Sequence, residues 1–237
     1  MKTEIIEYKD GDVVLEGFLA YDEALSSLRP GILIVHEWWG LGEHTKESAK
    51  KLAEAGYVAF AVDMYGKGKL TENMADAAKW SGEFKSNPPL AKGRFLAAHE
   101  VLASRINVDK SRIGAMGYCF GGTIVLEMAR LGLDLDGVVS FHGGLGTTQG
   151  SGAKDIKAKV LVCHGADDPL VPAAEITAFQ EEMRASKADW QFISYGGAVH
   201  SFTNPAATGV IPAAKYHEPT ARRSWVAMME FFGEVLK

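Results

Sequence analysis

Three residue types that together cleave acyl bonds, Cys119, Asp168 and His200, stand in that order along the chain, each where an apolar run gives way to a loop. A thiol attacks carbonyl carbon as its thiolate, and a free pKa of about 8.5 leaves most of it protonated at neutral pH, so a base must stand beside it. An imidazole supplies the base, and a carboxylate on its far ring nitrogen fixes tautomer and orientation. Cys119 lies in Gly117-Tyr118-Cys119-Phe120-Gly121-Gly122, after the apolar run Arg112 to Gly117 and before a helical run from Gly122 to Leu131. That is the layout of a nucleophile elbow, a strained strand-to-helix turn that lifts the nucleophile above a sheet, here with cysteine in place of the usual serine. Asp168 lies in Gly165-Ala166-Asp167-Asp168-Pro169-Leu170-Val171-Pro172, and His200 lies in Gly196-Gly197-Ala198-Val199-His200-Ser201-Phe202. Cys, Asp, His is the chain order of the α/β-hydrolase triad, with the adjacent Asp167 competing for the acidic place.

Positioning these residues requires a sheet whose strands all end on one side. Glu4 to Tyr8 and Val13 to Ala20 alternate as a hairpin around Asp10-Gly11, and Gly31 to His36 is a wholly apolar strand after the Pro30 breaker. Strands follow at Val58 to Asp63, Arg112 to Gly117, Gly137 to Phe141, Lys159 to Cys163 and Trp190 to Tyr195. Helices fall at Glu43 to Ala55, at 72 to 86 and 89 to 105 on either side of Pro88-Pro89, at 173 to 187 and at 219 to 236. Continuous apolar strands alternating with amphipathic helices predict an α/β fold: a mostly parallel central sheet, helices on both faces, and an antiparallel hairpin at its start. Ligands on such sheets bind at the carboxyl ends of the strands, where all three candidate residues fall.

A chain of 237 residues with 47% apolar content fits a single α/β domain over 1–237, with no visible linker, repeat or low-complexity tract. A formal charge of −5 and the lack of a Lys/Arg cluster speak against nucleic acid, whose phosphates require neutralising, and favour a small-molecule partner. The first residues lead into a strand pattern rather than an apolar export segment, and no run approaches the roughly 18 apolar residues of a membrane span, so a cytoplasmic, membrane-free protein is expected. Cys119 and Cys163 are expected to be free thiols. The sequence assigns no oligomeric state.

The cysteine elbow, the Asp168-Pro169-Leu170-Val171-Pro172 loop, His200-Ser201-Phe202 and the early Val35-His36-Glu37-Trp38-Trp39-Gly40 together resemble the dienelactone hydrolase (carboxymethylenebutenolidase-like) family of the α/β-hydrolase superfamily, over nearly the whole chain. The resemblance implies a Cys-His-Asp triad, hydrolysis of esters or lactones, and no cofactor. It makes Cys119 the nucleophile, His200 the general base and then acid, and Asp168 the group that orients the imidazole. The spacing to Val171-Pro172 favours Asp168, with Asp167 as a turn residue. In relatives a glutamate at the place of Glu37 contacts the resting thiol and moves when substrate arrives; a carboxylate there raises the thiol pKa while an imidazolium lowers it. Backbone N–H groups of Phe120 and Trp38 fall where this fold places its oxyanion donors. Trp38, Trp39, Phe120, Tyr118 and Phe202 are candidate pocket walls, with core packing as the alternative for Tyr118 and Trp39. Relatives acting on the carboxylate-bearing dienelactone carry an arginine a few residues beyond the histidine, where this chain has Asn204. An amide cannot replace the guanidinium charge, so neutral esters or lactones are expected, with neutral phosphotriesters as a side activity.

Two other readings compete. Gly40-Leu41-Gly42-Glu43-His44-Thr45 follows a strand and opens a helix, and Asp63 ends the next strand where the ribose-binding acid of an NAD-type dinucleotide site stands. Thr45 replaces the third glycine, however, and Glu37-Trp38-Trp39 crowds the pyrophosphate approach. A non-catalytic binding module on a hydrolase scaffold would leave the triad residues without a purpose. His99 and His217 have no partner at metal-ligand spacing, and no metal is expected. His142 and His164 each follow a strand end and are candidates to line the pocket, whereas Cys163 reads as a small buried hydrophobe. Arg94, Lys67 and Lys69 lie between the fourth strand and the elbow, where they can help place a substrate.

Overall fold

The computed structural model describes residues 1–24, 26–147 and 156–237, and the chain divides into two units, Met1–Met116 and Gly117–Lys237. In the first, β1 (Lys2–Asp10) pairs antiparallel with β2 (Val13–Tyr21), Lys2 opposite Tyr21 and Asp10 opposite Val13. Gly11 closes the hairpin at φ +57, a left-handed backbone that glycine adopts without a Cβ clash. β2 pairs antiparallel with β4 (Val58–Val62), which lies parallel to β3 (Arg29–Val35), giving the order β1-β2-β4-β3. All of β4, Val-Ala-Phe-Ala-Val, is buried, as a strand covered on both faces must be. Helices α1 (Glu43–Glu54) and α3 (Pro88–Ala103) both pack on it, and α2 (Met74–Ser86) packs on α3. Pro88-Pro89 does not merely separate α2 from α3. The Asn87 side chain accepts the Leu90 N–H, and the prolines occupy the first turn of α3, where no intrahelical N–H is needed.

β5 (Val108–Tyr118) runs across the division and begins four residues before the sequence pattern suggests. The Asp109 carboxylate accepts from the Ser111 N–H at 3.0 Å, the Ser111 hydroxyl at 2.6 Å and Arg112 Nε at 2.8 Å, so this polar stretch satisfies its own groups while extended. In the second unit β6 (Gly137–Phe141), β7 (Lys159–Gly165) and β8 (Trp190–Tyr195) run parallel in that order. Helix α4 (Phe120–Arg130) packs on β6, and α6 (Glu218–Val235) packs on β6 and β7. Helix α5 (Ala173–Ser186) lies between β7 and β8 in the chain. Among the described residues no helix is long and apolar enough to cross a membrane.

Candidate active site

The turn that carries Cys119 is built by close packing that only glycine allows. Cys119 is the N-cap of α4 at φ 53, ψ −114, an arrangement that costs a non-glycine residue on the order of 1–3 kcal/mol and persists only where its surroundings enforce it. They do. A Cβ on Gly117 would overlap the Gly121 carbonyl and lie 2.7 Å from Gly122 N, and a Cβ on Gly122 would lie 2.6 Å from Ser140 Oγ and 3.0 Å from Gly143 Cα. The Cys119 N–H donates to the Phe141 carbonyl at 3.0 Å, which ties the turn to the end of β6. The thiol is half-buried. Phe120 is the first residue of α4, and the unshared amides of a helix N-terminus favour negative charge at that end.

Asp168 and His200 reach the same place from the loops after β7 and β8. His200 Nδ1 donates to Asp168 Oδ2 at 2.8 Å, and its ring also shares a side-chain hydrogen bond with Cys119. The other Asp168 oxygen accepts the Leu170 N–H at 2.9 Å. Asp167 points elsewhere, accepting the Gly197 N–H at 2.8 Å. Burial alone pushes the His200 imidazole down, but the Cys119 sulfur and the Asp168 carboxylate outweigh it and hold the group up at about 10. The backbone of His200 is held as well. Its N–H donates to the Ala213 carbonyl at 3.0 Å and its carbonyl accepts from Lys215 N at 2.9 Å, so the excursion after residue 204 folds back as a strap on the histidine. Nothing in the sequence pattern singles out Ala213 or Lys215.

Tyr118 and Phe202 pack on His142, which in turn meets the His200 ring. Tyr118, Phe120, Phe202 and His142 are all at most 1% exposed. The His142 ring stands edge-on to His200 at 5.1 Å and to Phe202 at 5.0 Å, with Tyr118 stacked at 6.0 Å. Thr203, which the sequence does not mark, bonds His142 Nε2 through its hydroxyl at 2.7 Å. Asn204 uses its side-chain oxygen on the Ala206 N–H at 2.9 Å, as a turn former does. His164 is buried, its Nδ1 has no partner among the described residues, and burial lowers its pKa. Cys163 is buried, free and pushed up to about 12 by desolvation, which makes it a poor nucleophile. His217 binds the Thr220 hydroxyl at 2.7 Å at the start of α6.

In the first unit, the segment Glu37-Trp38-Trp39 is fixed through its carbonyls. His36 Nδ1 donates to the Glu37 carbonyl at 2.5 Å, Tyr65 Oη donates to the Trp38 carbonyl at 3.1 Å, and the Thr71 N–H donates to the Trp39 carbonyl at 3.0 Å. Among the described residues no acceptor takes the Trp38 N–H. Glu37 is buried, and Trp38 and Trp39 are half-buried with ring centroids 4.7 Å apart. Asp63, the ribose-binding candidate of the dinucleotide reading, is 4% exposed and accepts three backbone N–H groups, from Glu16 at 3.0 Å, Tyr65 at 3.0 Å and Gly66 at 2.9 Å. Its oxygens serve the fold. Arg94 is buried in an ion pair with Asp10, and Lys67 pairs with Glu7 at 2.6 Å and Glu16 at 3.3 Å. Lys69 lines a cavity of about 270 Å³ with Lys46, Asp63 and Leu70.

Comparison with known proteins points one way. The profile of the dienelactone hydrolase family matches residues 15–236. Protein usf of Aquifex pyrophilus is 28% identical over 238 residues, covering 98% of this chain and 99% of that one. A Caenorhabditis elegans protein is 40% identical over 146 residues, 60% of this chain and 92% of that one. Among solved structures, a dienelactone hydrolase-like promiscuous phosphotriesterase from metagenomic libraries is 37% identical with a TM-score of 0.94, over 100% of this chain and 99% of that one. The mostly parallel α/β fold expected from the strand and helix pattern, and the α/β-hydrolase fold that the resemblance implies, are therefore the fold of this chain, hairpin included.

Proposed function

Because the chain belongs to the dienelactone hydrolase family, we propose that it hydrolyses small neutral esters or lactones through Cys119, His200 and Asp168, without a cofactor. The observation that carries this reading is the hydrogen-bonded series from Asp168 through His200 to Cys119, on a cysteine whose backbone is held in an elbow. A His200 group held up at about 10 is an imidazolium at neutral pH, and a positive charge beside sulfur favours the thiolate that attacks. The thiolate attacks the carbonyl carbon, and the electron pair moves to oxygen. Collapse of the tetrahedral oxyanion expels the alkoxide, which takes the proton from the His200 imidazolium. Neutral His200 then removes a proton from water as the hydroxide attacks the thioester, which releases the acid and restores the ion pair. Asp168 holds the ring throughout.

Family resemblance supplies the remaining roles: the Phe120 and Trp38 N–H groups as oxyanion donors, and Glu37 as the carboxylate that restrains the resting thiol. We read residues 1–237 as one hydrolase domain, since the family match is continuous. Two free thiols suit a reducing cytoplasm. Asn204 in place of an arginine favours uncharged substrates.

The test is a panel of chromogenic esters and lactones with the native protein, Cys119→Ala and His200→Ala. Turnover that disappears in both variants supports the assignment, and turnover that survives Cys119→Ala would defeat it. Neutral phosphotriesters form a second substrate class, favoured by the described activity of the 37% identical structure. A burst of leaving group without turnover would restrict that activity to inhibition.

A further inference from the structure

His142 is fully buried, sits at φ +39, and is bonded to the rest of the second unit in a way that its place after β6 alone does not require. Its N–H donates to the Cys163 carbonyl at 2.9 Å, and the Phe141 carbonyl before it accepts the Cys119 N–H at 3.0 Å. Its Nε2 is bonded to the Thr203 hydroxyl at 2.7 Å, three residues beyond His200. Phe141-His142 therefore joins the elbow, the strand that leads to Asp168 and the loop that carries His200. Its ring ends edge-on against the His200 ring, 5.1 Å between centroids.

We propose that His142 is a positioning residue for His200, locking the plane of the catalytic imidazole through the bond to Thr203. This rests on the role given to His200 above. The physical need is specific. Hydrogen bonds to Asp168 and Cys119 fix the line on which the two ring nitrogens lie but leave the ring able to turn about that line, because histidine χ2 has a broad torsional minimum. Proton transfer to sulfur, alkoxide and water uses Nε2 and depends on its direction, and misplacement by about 1 Å can cost a factor of 100. The edge of the His142 ring supplies the missing constraint. Thr203 holds that edge still, and a left-handed backbone puts the ring there.

Thr203→Val keeps the side-chain shape and removes the hydroxyl, Thr203→Ser restores it, and His142→Phe keeps a ring without Nε2. We expect Thr203→Val to lower kcat on a chromogenic acetate about 10-fold with KM within about twofold, and Thr203→Ser to recover most of the loss. In the same variant the downfield proton resonance of His200 Nδ1–H should broaden, since the ring now rocks against Asp168. Native kcat and a sharp resonance in a folded Thr203→Val protein would overturn the proposal, even if His142→Phe fails to fold. Should the native protein turn over no ester, the reading of His200 as a catalyst fails separately. The resonance then decides alone: broadened in Thr203→Val it supports the brace, and unchanged it refutes it.

Discussion

His36 in the first unit and His200 in the second are both buried, and both donate from Nδ1 to a protein oxygen, yet their protonation is driven in opposite directions. Burial lowers the His36 pKa, and its bond to the neutral Glu37 carbonyl and the field of Asp63 recover only part of that. Burial acts on His200 in the same sense, but sulfur and carboxylate reverse it. Depth therefore does not decide whether a histidine is held charged or neutral. The charge on the partner does. His36 behaves as a strut, its Nδ1 donating to Glu37 and its Nε2 accepting the Met64 N–H at 3.3 Å, which is a neutral tautomer with both nitrogens used.

The sharpest way to break this contrast is Asp168→Asn, which gives His200 an uncharged partner like that of His36. The amide keeps the shape, removes the charge, and can present its NH2 to Nδ1 and so force the wrong tautomer. A drop in kcat on the order of 10³ to 10⁴-fold is expected, as for the corresponding change in a Ser-His-Asp triad. Steady-state rates on the preferred ester settle it. A variant within tenfold of native would mean that another group orients the ring, and the contrast would lose its basis.

The converse change, His36→Phe, removes the strut. The Glu37 carbonyl keeps the Gly40 N–H at 3.3 Å, whereas the Met64 N–H loses its acceptor in a fully buried site. An orphaned buried donor costs about 1–3 kcal/mol, readable as a lower urea midpoint. No measurable loss of stability would show that a water or another acceptor replaces the ring.

A pH titration of stability should separate the two histidines by sign. The folded protein holds the His200 proton more tightly than the unfolded chain, whose imidazole has a pKa of about 6.5. Stabilisation from His200 is therefore complete below that value and is lost as pH rises through about 10. For His36 the folded pKa is lowered, so its contribution is complete above about 6.5 and is lost as pH falls below that. His200→Gln should flatten the alkaline arm of the stability curve and leave the acid arm, and His36→Phe should do the reverse. Identical arms in native and variant proteins would contradict the assignment.

The elbow at Cys119 and the approach of Asp168 to His200 were legible in the sequence because they depend on residue types at short spacing: glycines where the backbone must crowd, a cysteine at the bend, a carboxylate and an imidazole after later strands. So were the strands and helices, because burial on both faces leaves continuous apolar runs such as that of β4. The His142–Thr203 bond was not legible, since it joins residues 61 apart and leaves no periodic trace. Nor was the left-handed backbone at His142 and Ser201, because neither is a residue type that announces it. Arg94 and Lys67 read as substrate-placing cations until their partners were seen. Asp10 meets Arg94 from the far end of the hairpin strand, and local pattern carries no such pairing.

The smallest effect tests the other side of the same contrast. His36 uses both of its polar atoms, while Ser140 Oγ, fully buried on β6 behind the elbow, bonds to nothing among the described residues. Its presence follows from packing: the space between Gly122 and Gly143 is too narrow for a larger side chain, since a Cβ on either would lie within 2.6 Å of that oxygen. Ser140→Ala removes a desolvated hydroxyl and little volume, so it should leave activity intact and stabilise the protein by up to about 1 kcal/mol, seen as a slightly higher urea midpoint. A loss of more than that would reveal a partner for Ser140, and the elbow would then depend on its polar groups as strictly as the Glu37 loop does.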